Sequence, residues 1–226
     1  MDWQAIFLSL RLSACTTLIL LVIGLPLAWW LARTRWPGRP FVEAFVALPI
    51  VLPPTVLGFY VLLAISPTSP VGQFYESLFG TRLPFTFQGL LVASVFYSLP
   101  FAVQPFVTAF AMLDRSHLEA AESLGANRWR VFFKVALPLA RPGVLAGVVL
   151  SFAHTMGEFG VVLMVGGNLP GITRTVSVSI YDEVQALNYE AAQKTSLAML
   201  AFSFVVLAIT YGLQRRSNPI WGSAVR

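Results

Sequence analysis

His154 and Glu158 stand four residues apart inside one apolar run, a spacing that places both on one face of a helix. An imidazole and a carboxylate so placed either line a passage or gate, or satisfy each other as a polar pair between helices. The spacing leaves both readings open. Hydrolytic chemistry within a membrane needs paired carboxylates, a serine with its base, or metal ligands, and no third partner for this pair is legible. His117 and His154 are the only histidines and Cys15 the only cysteine, so the chain has neither a histidine or cysteine metal set nor an internal disulfide. The expectation is no catalytic residue and no metal site. The polar groups suited to handing a solute along are the neutral hydroxyls of Thr55, Ser94, Ser98, Ser151 and Thr155, each within or beside an apolar run. The same hydroxyls can instead bond back to their own helices.

The elements that must position these groups follow from composition. Of 226 residues, 57% are hydrophobic and 11% charged, with a mean hydropathy of +0.74. Soluble domains carry about 25% charged residues, so a soluble globular domain and a disordered chain are both excluded. Five apolar segments are long enough to cross a bilayer as helices, at residues 5–32, 41–65, 85–113, 143–165 and 191–213. The expected architecture is all-α, a polytopic membrane protein forming a single transmembrane domain over 1–226. Residues 1–30 lack a basic start and run too long for a cleaved signal, and so read as the first span.

The formal net charge of +5 sits in short breaks between apolar runs, which points to membrane orientation and not to nucleic acid. The breaks after spans one and three and the tail carry Arg33, Arg35, Arg39, Arg115, Arg128, Arg130, Lys134, Arg141, Arg215, Arg216 and Arg226. The other side has Arg11, Arg82, Arg174 and Lys194. Basic excess marks the cytoplasm, so the N-terminus is expected outside and the C-terminus inside. Pro49, Pro53 and Pro54 in span two, Pro100 and Pro105 in span three, and Gly157 and Gly160 in span four promise kinked helices, or bent helices around a gated cavity.

Residues 114–142 form the longest basic-side segment. Ser116 with Glu119 fits a capping box, Leu118 and Leu124 lie along the helix that follows, and Gly125 suits its stop. Asn127 is placed to cap a second helix that carries Trp129, Phe132, Phe133 and Ala136 on its apolar side and ends at Pro138. Glu119-Ala120-Ala121, then Gly125 after three residues, then nine residues before Val135 and Leu137-Pro138, resemble the EAA signature of inner-membrane permease subunits of ABC importers. Val135 stands where that family usually has isoleucine. Over most of the chain the resemblance is to the molybdate importer branch, carried by RTRWPGRPFVEAFVALPIVLPPTVLG, GANRWRVFFKVALPL and MGEFGVVLMVGGNLPGITRT. Tungstate and sulfate permeases are the alternatives.

The resemblance implies that Glu119, Ala120, Ala121 and Gly125 belong to a short coupling helix docking on a cytoplasmic ATPase. It implies a homodimer of permeases, two ABC ATPase subunits, a periplasmic molybdate-binding protein and residence in the bacterial inner membrane. No G-x-x-x-x-G-K-[ST] phosphate loop is present, so the chain is expected not to be an enzyme and to hold no cofactor. ATP and magnesium would sit on the partner. A carboxylate beside a dianion in low dielectric is repulsive, so Glu158 is not expected to ligate the substrate.

Overall fold

In the computed structural model, residues 1–217 are described, and among them every regular element is helical. α1 spans Trp3–Arg33, α2 Arg39–Val51, α3 Pro54–Ala64, α4 Pro70–Phe79, α5 Phe87–Ala111 and α6 Arg115–Ser123. α7 (Arg128–Val131), a π-helical turn (Phe132–Ala136) and α8 (Leu137–Leu139) run together into α9 (Arg141–Met156). α10 (Gly160–Gly166), α11 (Val176–Gln185) and α12 (Tyr189–Ser217) complete the order.

Three helices, Trp3–Arg33, Phe87–Ala111 and Tyr189–Thr210, are each long and apolar enough to cross a membrane. The two other expected spans are corrected from single helices to pairs. Segment 41–65 divides at Leu52–Pro53 into α2 and α3, whose axes turn by 117°. Pro53 and Pro54 explain the division, because consecutive prolines remove two amide donors and push the preceding residue out of the helical region. Leu52 accordingly has φ −72° and ψ 137°. Segment 143–165 divides at Gly157–Phe159 into α9 and α10, although no proline stands there. By contrast Pro100 and Pro105 remain inside an unbroken α5, and Pro26 inside α1. The tail arginine Arg226 lies outside the described residues, as do the side chains of Arg215 and Arg216.

α1, α5 and α9 form the centre of the bundle. Leu20, Ala28 and Leu31 of α1 pack with Leu99, Val103, Phe106 and Phe110 of α5. Leu118, Val131 and Phe132 from the basic-side segment extend the same cluster. Close approach of α9 to α5 depends on two glycines. A Cβ on Gly147 would lie 2.4 Å from the Phe106 ring and 2.8 Å from the Ala102 carbonyl oxygen, and one on Gly143 would lie 2.4 Å from the Ala109 Cβ. Gly143 and Gly147 are four apart, the small-xxx-small pattern that lets helix backbones meet in lipid. That pattern was readable in the sequence and marks this contact.

Near the start of α1, Ser9 accepts the Val176 N–H at 2.8 Å. Arg174 reaches Asn168 Oδ1 at 2.7 Å, Asp182 at 3.5 Å and Asp2 at 3.9 Å, tying the start of α1 to the loop and to α11. α11 carries the polar stretch 177–185. Arg82 pairs with Glu76 at 3.3 Å, and Arg11 lies 4.3 Å above the Phe87 ring.

Candidate functional site

Two regions carry the candidate residues. The first is a cavity of about 630 Å³ at the level of the two helix divisions. Pro54 and Thr55 line it from the start of α3, Tyr97 from α5, His154 from the end of α9, and Glu158 and Gly160 from the α9–α10 break. The two divisions are pressed together. A Cβ on Gly160 would come within 2.7 Å of the Pro54 Cβ, and one on Gly58 within 2.8 Å of the Met164 Cβ and 3.1 Å of the Val161 Cα. α3 and α10 therefore touch backbone to side chain along one seam, and neither can take a larger residue there without separating.

Glu158 follows the end of α9 and points its carboxylate at the start of α10, where Oε1 accepts the Val161 N–H at 3.0 Å. The first amides of a helix that begins inside the bundle have no intrahelical acceptor. Glu158 supplies one acceptor, and its Oε2 makes no hydrogen bond. Only 4% of the residue is exposed. His154 lies elsewhere in the same wall. Its Nδ1 is 3.1 Å from Ser98 Oγ, and its ring stacks on Phe101 with centroids 3.7 Å apart. Of the two readings of His154 and Glu158, the mutual pair is not formed: each bonds a different group. The reason is the break itself. The four-residue spacing places two side chains side by side only while the helix continues, and α9 stops at Met156.

Of the five hydroxyl residues, Thr55 is exposed and on the cavity wall. The other four are placed differently from the expectation of an open lining. Ser94, Ser98 and Ser151 are fully buried and Thr155 nearly so. Ser151 donates to the Val148 carbonyl at 3.1 Å and Thr155 to the Ser151 carbonyl at 2.9 Å, the local back-bonding that spares a hydroxyl from lipid. Ser98 bridges α5 to α9 through Thr155 Oγ1 at 2.8 Å. Ser94 Oγ has no partner. Within this chain these four hydroxyls are buried and do not face open space, and of them Ser98 and Thr155 join two helices.

The second region is the α6 knob at the basic end. The capping box is corrected in one respect: Asp114, and not Ser116, caps α6, its Oδ1 accepting the Ser116 N–H at 2.9 Å. That bond holds the Asp114 carboxyl below its ordinary value. Glu119 is thereby left out of capping and exposed. The helix ends as its glycine forecast. Gly125 has φ +79°, its N–H bonds Glu122 O at 2.9 Å, and the Ala126 N–H reaches back to Ala121 O at 3.1 Å. This is the paired bonding of a Schellman stop. Nothing lies within 4 Å of where a Gly125 Cβ would be, so backbone conformation alone requires glycine.

Asn127 Oδ1 accepts the Arg130 N–H at 2.8 Å and starts α7 as expected. The helix does not end at Pro138. The widened bonding of the π turn ahead of it relieves the ring clash that an α-helical turn would impose, so Pro138 lies inside α8. Nor do the four apolar residues share a face: Phe132 and Ala136 are buried, while Trp129 and Phe133 are exposed. Leu118 anchors α6 to the bundle, and Arg33 pairs with Glu122 at 3.5 Å. Leu124 stands 89% exposed beyond the end of the helix.

Long apolar helices, one of them unbroken through two prolines, and a capped helical knob at the basic end define a polytopic permease-type bundle. Residues 21–220 match the family described as binding-protein-dependent transport system inner membrane component, and the chain belongs to that family. Its fold is that of ABC transporter permeases. A chain of the MetNI methionine ABC transporter superposes with a TM-score of 0.74 at 18% identity, covering 96% of each chain. A chain of a bacterial alginate ABC transporter gives 0.74 at 20% identity, covering 94% of this chain and 78% of that one. Among sequence relatives, the molybdenum transport system permease protein ModB of Azotobacter vinelandii is 54% identical over 95% of both chains. The protein of that name from Escherichia coli K12 is 36% identical over 96% of this chain and 95% of its own length. The sulfate transport system permease protein CysT of Escherichia coli K12 is 37% identical over 86% of this chain and 70% of its own.

Proposed function

We propose that this chain is the permease of a molybdate importer, working as a homodimer with two ATPase subunits and a periplasmic molybdate-binding protein. The observation that carries the reading is the 54% identity to the Azotobacter vinelandii molybdenum permease, spread over 95% of both chains. The whole single domain, 1–226, is committed to the pathway, and the chain supplies no ATP-hydrolysing chemistry of its own. The N-terminus lies in the periplasm and the C-terminus in the cytoplasm, as the basic-residue distribution favours.

In this reading α6 docks on the ATPase. Asp114 and Gly125 fix both of its ends, which makes a stiff lever, and Glu119, Ala120 and Leu124 offer its outer surface. Ala120 and Ala121 permit close approach. Leu118 carries displacement into the cluster around Phe106 and Phe110. ATP can shift the bundle between states only by binding one of them better, so closure of the ATPase pair has to be coupled to the approach of the two α6 knobs, which opens the permease outward. The pathway residues nearest the breaks are Thr55 and His154. Glu158 serves the shape of the break and not substrate ligation.

Sulfate is the second reading, favoured by the 37% identity to the sulfate permease CysT; tungstate shares the same oxyanion chemistry. Radiolabelled molybdate uptake in a strain deleted for this chain, with tungstate and sulfate as competitors, tests the choice. Uptake restored by the chain and competed by tungstate far more than by sulfate supports the reading. Restoration of sulfate uptake alone overturns it.

A further inference from the structure

We propose that α4 is an interfacial helix that lies in the bilayer surface with Val71, Phe74 and Leu78 inserted among lipid acyl chains. At 100° per residue the ten residues of Pro70–Phe79 divide cleanly. Phe74, Leu78, Val71, Tyr75 and Phe79 occupy one arc, and Glu76, Gln73 and Ser77 the other. In most amphipathic helices of a folded chain the apolar arc is the buried one. Here Val71, Phe74, Leu78 and Phe79 are all more than half exposed, and the buried residue is Gly72, at the edge of the arc.

Three observations select lipid as the cover. First, α4 is held beside the apolar α3. It starts six residues after α3 ends, and a Cβ on Gly72 would come within 1.9 Å of the Ser66 carbonyl oxygen, so its first turn is packed against the short connection that leaves α3. Second, the exposed apolar surface is continuous along the chain with Phe59, Tyr60 and Leu63 of α3, also exposed, in a family of inner-membrane components. Third, the helix offers little to a polar partner: its one charged residue, Glu76, is already paired with Arg82 at 3.3 Å. A soluble protein that binds and leaves would return these side chains to water in every cycle, whereas a bilayer covers them throughout. Aromatic side chains are the usual anchors of a membrane interface.

The inference rests on membrane residence and not on the identity of the substrate. The test is spin-label depth measurement in the full-length chain with Cys15→Ala, reconstituted in phosphatidylethanolamine–phosphatidylglycerol vesicles with its ATPase. Single labels are placed through F74C, L78C and, on the polar arc, Q73C; L200C on α12 reports insertion of the bundle itself. Labels at 74 and 78 are expected to collide with oxygen and to be shielded several-fold from a water-soluble nickel chelate relative to the label at 73. Nickel access at 74 and 78 equal to that at 73, with L200C still shielded, overturns the proposal. Shielding of 74 and 78 from both oxygen and nickel, with immobilised spectra, assigns the face to a protein neighbour and overturns it as well. Should F74C fail to assemble, V71C replaces it on the same arc.

Discussion

The seam between α3 and α10 and the α6 knob solve opposite problems. At the seam, Gly58 and Gly160 bring backbones within reach of Met164 and Pro54, and Glu158 satisfies an amide at the start of α10. Every part of that arrangement is internal to the chain. At the knob, one leucine, Leu118, is buried, while Glu119, Ala120 and Leu124 face outward. A contact that fixes shape consumes its side chains, and a contact meant for a partner leaves them uncovered. Substitutions in the first kind of region should cost folding, and in the second kind coupling.

The contrast is broken most severely in the packed interior. Gly147→Leu should prevent α9 from meeting α5, because even a Cβ would fall 2.4 Å from Phe106. The expected outcome is near-complete loss of monodisperse protein on size-exclusion chromatography, and a normal yield would mean that α9 and α5 are not in contact there. Leu118→Ala should cost about 2–5 kcal/mol of local packing. Detachment of α6 should then lower ATPase-driven uptake more than it lowers the melting temperature of the permease, which reports the whole bundle.

Gly125→Val sharpens the comparison further. A β-branched residue at φ +79° pays a strain of about 1–2 kcal/mol or more with no steric clash to add to it. The bundle should assemble normally, while ATP hydrolysis proceeds with uptake reduced. Wild-type coupling would count heavily against the docking role of α6. The smallest effect is expected from Glu158→Gln. An amide oxygen can still accept the Val161 N–H, so fold and oxyanion preference should both be retained in competition assays. A switch in preference would place this side chain in contact with substrate.

Much of the knob was legible before any coordinates. Gly125 as a helix stop and Asn127 as a cap are local features, decided by residues within one turn of each other. The cap at the other end shows the limit of such reading. Ser116 and Asp114 are both competent acceptors two residues apart, and only the path of the chain leaving α5 selected Asp114. The mid-membrane residues were less legible. His154 and Glu158 were sound candidates as a polar pair in an apolar run, but their relation depended on whether the helix continued past Met156, and no proline signalled that it would not. The hydroxyls were judged by chemistry alone, and chemistry does not say which way a helix face turns.

Composition and the spacing of apolar runs by themselves determined that this is a helical membrane protein, because hydrocarbon tolerates no unpaired backbone. The run of glutamate, alanine and glycine carried the resemblance to its family, because those residues stand at the intervals of that family's signature. Only tertiary structure decided that the fourth segment divides after Met156, which glycines carry helix contacts and which polar groups meet. Those outcomes depend on what lies across the bundle, at separations from 34 residues (Gly143 to Ala109) to 106 (Gly58 to Met164), and a one-dimensional pattern does not report them.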